Sequence, residues 1–256
     1  MRSLFAFMKK EVLEQIRSGR VVLLGLLFVL FGIMNPAIAK LTPWLMETMS
    51  ESLAASGMIV MEVSVTAMDS WVQFFKNVPM ALIAFVVLQS GIFTREYESG
   101  TLILSLTKGL DRYKVVAAKS TILVLLWSIG YWLCFAITYA YNAYFWDNSI
   151  AQNLLLSVTC WWLFGMWVIG LIVLFSTLCN SGSAVLGSTA AMVFGVYLLS
   201  IVPKLKEYLP TYLTDGNSLI YGSAEATDYS MAILITTVTL VACFALSVPV
   251  FSKKKL

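Results

Sequence analysis

No charged side chain occurs anywhere from Asn148 to Val202. A helix that crosses a bilayer needs about 20 apolar residues, so this stretch is far too long for one crossing. It breaks naturally at the small, polar sequence Cys179-Asn180-Ser181-Gly182-Ser183, which gives spans at 154–178 and 184–202. The same search for charge-free stretches gives spans at 21–39, 78–94, 120–146 and 229–251. The second is short for a crossing, and the third is long enough to tilt or protrude. Charged residues make up 12% of the chain, against about 25% in soluble domains. That density cannot cover a water-facing globule. The chain is therefore expected to be an all-α membrane protein, one transmembrane domain over residues 1–256 with six spans.

The basic residues set its orientation. With the N-terminus inside, the inner segments 1–20, 95–119, 179–183 and 252–256 hold Arg2, Lys9, Lys10, Arg17, Arg20, Arg95, Lys108, Arg112, Lys114, Lys119 and Lys253–Lys255. The outer segments 40–77 and 203–228 hold the other four, Lys40, Lys76, Lys204 and Lys206. Basic residues concentrate on the cytoplasmic side of membrane proteins, so both termini are expected in the cytoplasm. The first apolar run follows a charged segment and is long enough to stay as a span, so no signal peptide is expected.

Residues 3–18 read as an amphipathic helix. Leu4, Phe5, Met8, Val12, Leu13 and Ile16 share one side, with Lys10, Glu11, Glu14 and Arg17 on the other. Such a helix should lie in the cytoplasmic interface with its basic residues near anionic lipid heads. It serves either as an anchor or as an elbow that transmits movement to the first span. In segment 40–77, Trp44, Leu45, Met46, Met58–Val65, Trp71, Phe74 and Phe75 form helix-like apolar clusters. They are expected to rest on the outer membrane surface or cover a pore mouth. Segment 203–228 is similar.

Several chemistries are disfavoured. The chain has no histidine, the usual proton shuttle near neutral pH. Its cysteines, Cys134, Cys160, Cys179 and Cys243, are far apart and read as packing residues. No span carries Asp, Glu, Lys, Arg or His near its middle, which counts against proton relays and membrane-embedded catalysis. There is no GxxxxGK[ST] phosphate loop, so any nucleotide hydrolysis must come from another chain. The aromatic residues of the spans, Trp127, Trp132, Trp161, Trp162, Trp167, Tyr131 and Tyr139, are expected mostly to face lipid or neighbouring helices.

The segment Gly91–Lys119 is the informative one. Charged Arg95-Glu96-Tyr97-Glu98 is followed by the breaker Ser99-Gly100-Thr101, the short apolar piece Leu102–Leu106 and a basic run from Lys108 to Lys119. This reads as helix, turn, short helix and helix at the membrane face, or as an ordinary loop with cytoplasmic charges. Its pattern resembles the type-2 ABC transporter permeases, a superfamily of exporters of drugs, lantibiotics and toxic peptides. Members often carry E-x-x-x-G-T-L after the second span, then K-P-x-x-R and a lysine before the third. The matching residues are Glu96, Gly100, Thr101, Leu102, Lys108, Arg112 and Lys119, together with Phe74–Asn77 before the second span. Gly109 stands where many members have proline, which bears on the rigidity of that turn. The six-span layout resembles the family throughout, and small exporters of amphipathic toxic peptides, such as phenol-soluble modulins, look closest.

The resemblance implies a multi-pass permease of a bacterial plasma membrane with no catalytic residue, cofactor or metal of its own. Two permease chains would form a pathway above two cytoplasmic ATPase subunits that bind ATP and magnesium, and nucleic acid would play no part. The coupling residues would be Glu96, Tyr97, Glu98, Gly100, Thr101, Leu102, Lys108 and Arg112, with a second contact at Asn180 and Ser181. The second permease chain would be a copy or a sister. The absence of charge in the spans favours an amphipathic or hydrophobic substrate. Competing readings are a drug or lantibiotic-immunity exporter, or a scaffold or immunity protein that transports nothing. Ser183, Gly187, Ala191 and Gly195 recur every four residues on the fifth span. Such small-residue faces let membrane helices approach closely, here either at a dimer seam or within one chain.

Overall fold

The computed structural model describes residues 2–48, 64–107 and 109–254. Among them there is no strand. Helix α1 (Arg2–Arg17) turns at Gly19 into α2 (Arg20–Thr48). Then follow α3 (Ala67–Gln89), the short α4 (Thr94–Glu98) and α5 (Thr101–Thr107), and α6 (Arg112–Phe145). The rest of the chain forms α7 (Leu154–Leu178), α8 (Gly182–Leu199), the short α9 (Pro203–Lys206) and α10 (Gly216–Ile220), and α11 (Ser230–Lys253). Among the described residues, six helices are long and apolar enough to cross a membrane: α2, α3 continuing through α4, α6, α7, α8 and α11. The expected all-α, six-span class is the one observed.

The boundaries differ from the charge-free stretches for local reasons. Helix α3 begins at Ala67, well before residue 78, because Thr66 and Asp69 form a capping box. The Thr66 N–H donates to Asp69 Oδ2 at 2.8 Å, and the Met68 N–H donates to Thr66 Oγ1 at 3.3 Å. This reciprocal arrangement satisfies N–H groups that a helix start leaves open. Trp71, Phe74 and Phe75, expected on the membrane surface, are therefore inside the bundle and buried. Trp44, Leu45 and Met46 continue α2. Of the apolar cluster at 58–65, residues 58–63 lie outside the described residues. Helix α6 has 34 residues, about 51 Å at 1.5 Å each, against about 30 Å of hydrocarbon. It starts at Arg112 rather than near 120, so its first turns carry Arg112, Lys114 and Lys119 ahead of the charge-free stretch.

Helix α7 is the hub, packed on α11, α6, α8 and α10. Its contact with α6 is set by Trp127, whose indole lies against Gly165. A Cβ there would come within 2.2 Å of the ring. The Trp127 indole donates to the Trp162 carbonyl at 3.2 Å and the Tyr131 hydroxyl to the Val158 carbonyl at 2.7 Å. Phe28 and Phe85 meet Trp127 edge-on, so α2 and α3 share the same core. Helix α8 is the opposite case. Only Val185 and Thr189 on it are buried, and the ridge of Ser183, Gly187 and Ala191 is exposed. Nothing in the described chain lies within 4 Å of a Cβ built on Gly187 or Gly195.

The break before α8 falls where expected. Cys179 is extended after α7, and Ser181 caps α8 by accepting the Ala184 N–H at 3.3 Å. Away from α1, a neutral network ties α2, α3 and α6. Pro36 has no N–H, so the Gly32 carbonyl loses its helical partner. The Thr138 hydroxyl donates to that carbonyl at 3.1 Å. Asn35 Nδ2 donates to Thr138 at 3.0 Å, and Asn77 Nδ2 donates to Asn35 Oδ1 at 2.7 Å.

Candidate functional site

The turn between α3 and α4, the start of α6 and the helix α1 converge on one buried ion cluster. Lys119 is on α6 and is 1% exposed; Glu96 on α4 and Glu11 on α1 are nearly as buried. Lys119 Nζ lies 2.7 Å from Glu11 Oε2 and 3.0 Å from Glu96 Oε2, and donates to the Ile92 carbonyl at 2.9 Å. Lys10 closes the other side. It pairs with Glu96, lies 3.3 Å from Glu11 and 3.7 Å from Glu14, and keeps 43% of its side chain exposed. Little more than one turn of α1 supplies Lys10, Glu11 and Glu14, with Lys10 and Glu14 as i,i+4 neighbours. Behind it, Gln15 and Gln89 exchange amide hydrogen bonds at 3.1 and 3.3 Å, both buried.

The electrostatics are uneven. Burial pushes the Glu11 carboxyl above its usual value, and the Lys119 ammonium only partly offsets this; the neighbouring Glu96 adds to the rise. For Lys10, burial acts to lower the pKa, but hydrogen bonding and attraction to Glu96, with Glu11 and Glu14, hold it above the usual lysine value. Glu11, Glu14 and Glu96 bring carboxylate oxygens within 4.8 Å of one another. Two ammonium groups, on Lys10 and Lys119, already pair with these three carboxylates, so the donor set suits an ion network rather than a divalent metal.

Helix α1 is thereby oriented. Its buried side is mixed: Phe7, Glu11 and Gln15 are buried and Leu4 and Met8 pack on the core, while Phe5, Val12, Leu13, Ile16, Lys10 and Arg17 are exposed, so the expected two-sided wheel divides less cleanly in the fold. The exposed Phe5, Val12, Leu13 and Ile16 leave α1 an outward apolar stripe of the kind a helix uses at a lipid interface. Lys10, expected near lipid heads, is instead engaged by Glu96.

The predicted coupling residues separate into two groups. Glu96, Tyr97 and Leu102 point inward. The Tyr97 hydroxyl donates to the Ser176 carbonyl at 3.1 Å, and its ring stacks on Phe251. Leu102 is buried. Arg112, expected as a partner for acidic groups, instead donates to the Phe251, Ser252 and Lys254 carbonyls and so caps the end of α11. Glu98, Thr101 and Asn180 are exposed, as are Ser99 and Ile103 beside them. Gly100 has φ +68°, a left-handed conformation that glycine adopts without strain, and it reverses the chain between α4 and α5. Lys108 lies outside the described residues. The second predicted contact is adjacent to the first, since a Cβ on Gly182 would stand 3.3 Å from Gly91 and from Thr94. The Lys254 ammonium reaches the Cys179 carbonyl at the same break.

Sequence reasoning passed over Glu11, Gln15 and Gln89. The signal for the first two is their spacing of four residues, with Gln15 a polar residue intruding among the apolar ones of α1. Lys119 entered through the family resemblance alone, although a lysine at the edge of an apolar run is costly to bury and calls for a partner.

Six crossing helices, with two short helices wired into the bundle at one end, define a multi-pass membrane protein. The model of ABC-2 family transporter proteins matches residues 5–256. The chain therefore belongs to the ABC-2 transporter family and is an ABC-type permease, a membership that implies association with an ABC ATPase. No curated protein matches the chain.

Proposed function

We propose that this chain is the membrane subunit of an ATP-driven exporter, with its α1 end in the cytoplasm and a separate ATPase chain hydrolysing ATP. The observation that carries this reading is the ion cluster, because it joins α4 to α1 and α6 in one contact set. The exposed residues around it, Glu98, Ser99, Thr101, Ile103 and Asn180, are the surface offered to the ATPase. Glu96, Tyr97 and Arg112 act behind that surface. A push on α4 and α5 reaches α6 through Lys119, α1 through Glu11, and α11 through Phe251. Coupling of this kind needs contacts that differ between two states, and a water-accessible ion network can exchange partners.

The orientation rests on the basic residues clustered at that end. Two permease chains pair through α8, whose small-residue ridge is open for close helix approach. Two ATPase subunits then dock beneath. The spans carry no charge near their middles, which supports an amphipathic or hydrophobic substrate such as a toxic or antimicrobial peptide.

The test is co-purification with a candidate ATPase through a tag on this chain, followed by vanadate-sensitive ATP hydrolysis in nanodiscs. Activity should follow the tag. Glu98→Lys, on the exposed surface, should weaken ATPase retention and leave the permease folded. Glu96→Gln should retain the ATPase and lose transport. A folded permease that retains no ATPase would overturn the reading and favour a scaffold or immunity protein.

A further inference from the structure

A groove of about 760 Å³ runs between the last turns of α6 and the first turn of α7. It lies at the end of the bundle away from α1. Phe135, Tyr139, Ala143 and Trp146 form its α6 wall at helical spacing, Leu155 stands on the α7 side, and Asp147 belongs to the linker between the two.

Three features decide what fits it. The wall from Phe135 to Trp146 covers about 16 Å at 1.5 Å per residue, close to half of a hydrocarbon layer of about 30 Å. The groove therefore has the depth of one leaflet. Its lining is mostly aromatic and aliphatic, and Asp147 is its one charged side chain. That carboxylate is exposed, and it accepts the Ser149 N–H at 2.9 Å and the Ser149 hydroxyl at 2.6 Å. These bonds hold Asp147 below the ordinary carboxylate pKa, so it stays charged. Among the described residues no cation pairs with it. Tyr139 and Trp146 add ring faces that attract a cation.

We propose that this groove binds a phospholipid of the adjoining leaflet, with an acyl chain along Phe135–Ala143 and an ammonium head group on Asp147. The leaflet-deep apolar wall selects a lipid over a cationic peptide, and the carboxylate selects the head group. This site is independent of the ATPase contact.

The experiment places the full chain in nanodiscs with equal parts of phosphatidylethanolamine and phosphatidylglycerol, then counts retained lipid by native mass spectrometry after detergent release. Phosphatidylethanolamine should be retained over phosphatidylglycerol by about fivefold, the scale of one exposed ion pair. Asp147→Asn keeps an acceptor for the Ser149 N–H and should level the two lipids. Ala143→Trp should fill the groove and expel both, and its circular dichroism should match the parent. Equal retention by the parent chain, a preference that survives Asp147→Asn, or unchanged lipid in Ala143→Trp would overturn the proposal. So would displacement of the retained lipid by an equimolar cationic amphipathic peptide, which would mark a peptide site instead.

Discussion

Two buried polar networks hold the spans together, and they are made from different chemistry. At the α1 end, two lysines and three carboxylates link α1, α4 and α6. Further along the spans, Asn35, Asn77 and Thr138 link α2, α3 and α6 without a charge. The ion network reaches water through Lys10, which spares it the full desolvation cost of buried charge. The neutral network has no such outlet, and in lipid an amide or hydroxyl is far cheaper to bury than a charge. The difference also separates their uses. Ion pairs beside water can open and find new partners, which suits an end that moves. Amide bonds closed around a proline-freed carbonyl suit an end that stays fixed.

The largest way to break this contrast is Lys119→Met. It leaves Glu11 and Glu96 buried without their shared cation, at a cost of about 3–5 kcal/mol. Thermal unfolding in detergent should show that loss. Removing the charges together sharpens the comparison. Lys119→Met with Glu11→Leu and Glu96→Leu should recover most of the lost stability, since apolar replacements of buried ion networks are often neutral or better. Transport in proteoliposomes should stay abolished. Recovery of both would make the cluster a mere packing element.

At the other network, Thr138→Val strips the Gly32 carbonyl and Asn35 of a partner. Intramembrane hydrogen bonds average about 0.6 kcal/mol, so a loss of about that size is expected. It should not change with salt, and ATP-coupled transport should persist. Lys10→Met should cost at most about 1 kcal/mol, because that side chain is part-exposed, and the cost should shrink in high salt. The smallest effect is a pH slope. Glu11 has a raised pKa in the fold. Its stabilising share is complete below the ordinary carboxyl value of 4.5 and is lost as pH rises through the raised value. Just above pH 4.5 the parent should therefore lose more stability with rising pH than Glu11→Gln.

The spans were legible because lipid forbids charge across them, and Asn148–Val202 has none. Their ends were not, because α3 is started by a capping box between Thr66 and Asp69 and α6 runs past its apolar stretch. Gly100 and the break at Cys179–Ser183 were readable from local chemistry alone. The ion cluster was not, since Glu11 and Lys119 meet only through tertiary packing, and nothing near either residue names the other. The wheel of α1 marked its exposed apolar stripe but not the side the protein takes, which mixes Phe7 with Glu11 and Gln15.

Glu11 finds its cation 108 residues further along the chain. Synthesis runs from the N-terminus, so α1 leaves the ribosome long before Lys119 exists. Until the third crossing helix is made, the first helix has a carboxylate with no lysine of that helix to receive it. Docking of α1 is then a late event in biogenesis, and it marks the moment when the first three crossing helices are all in place.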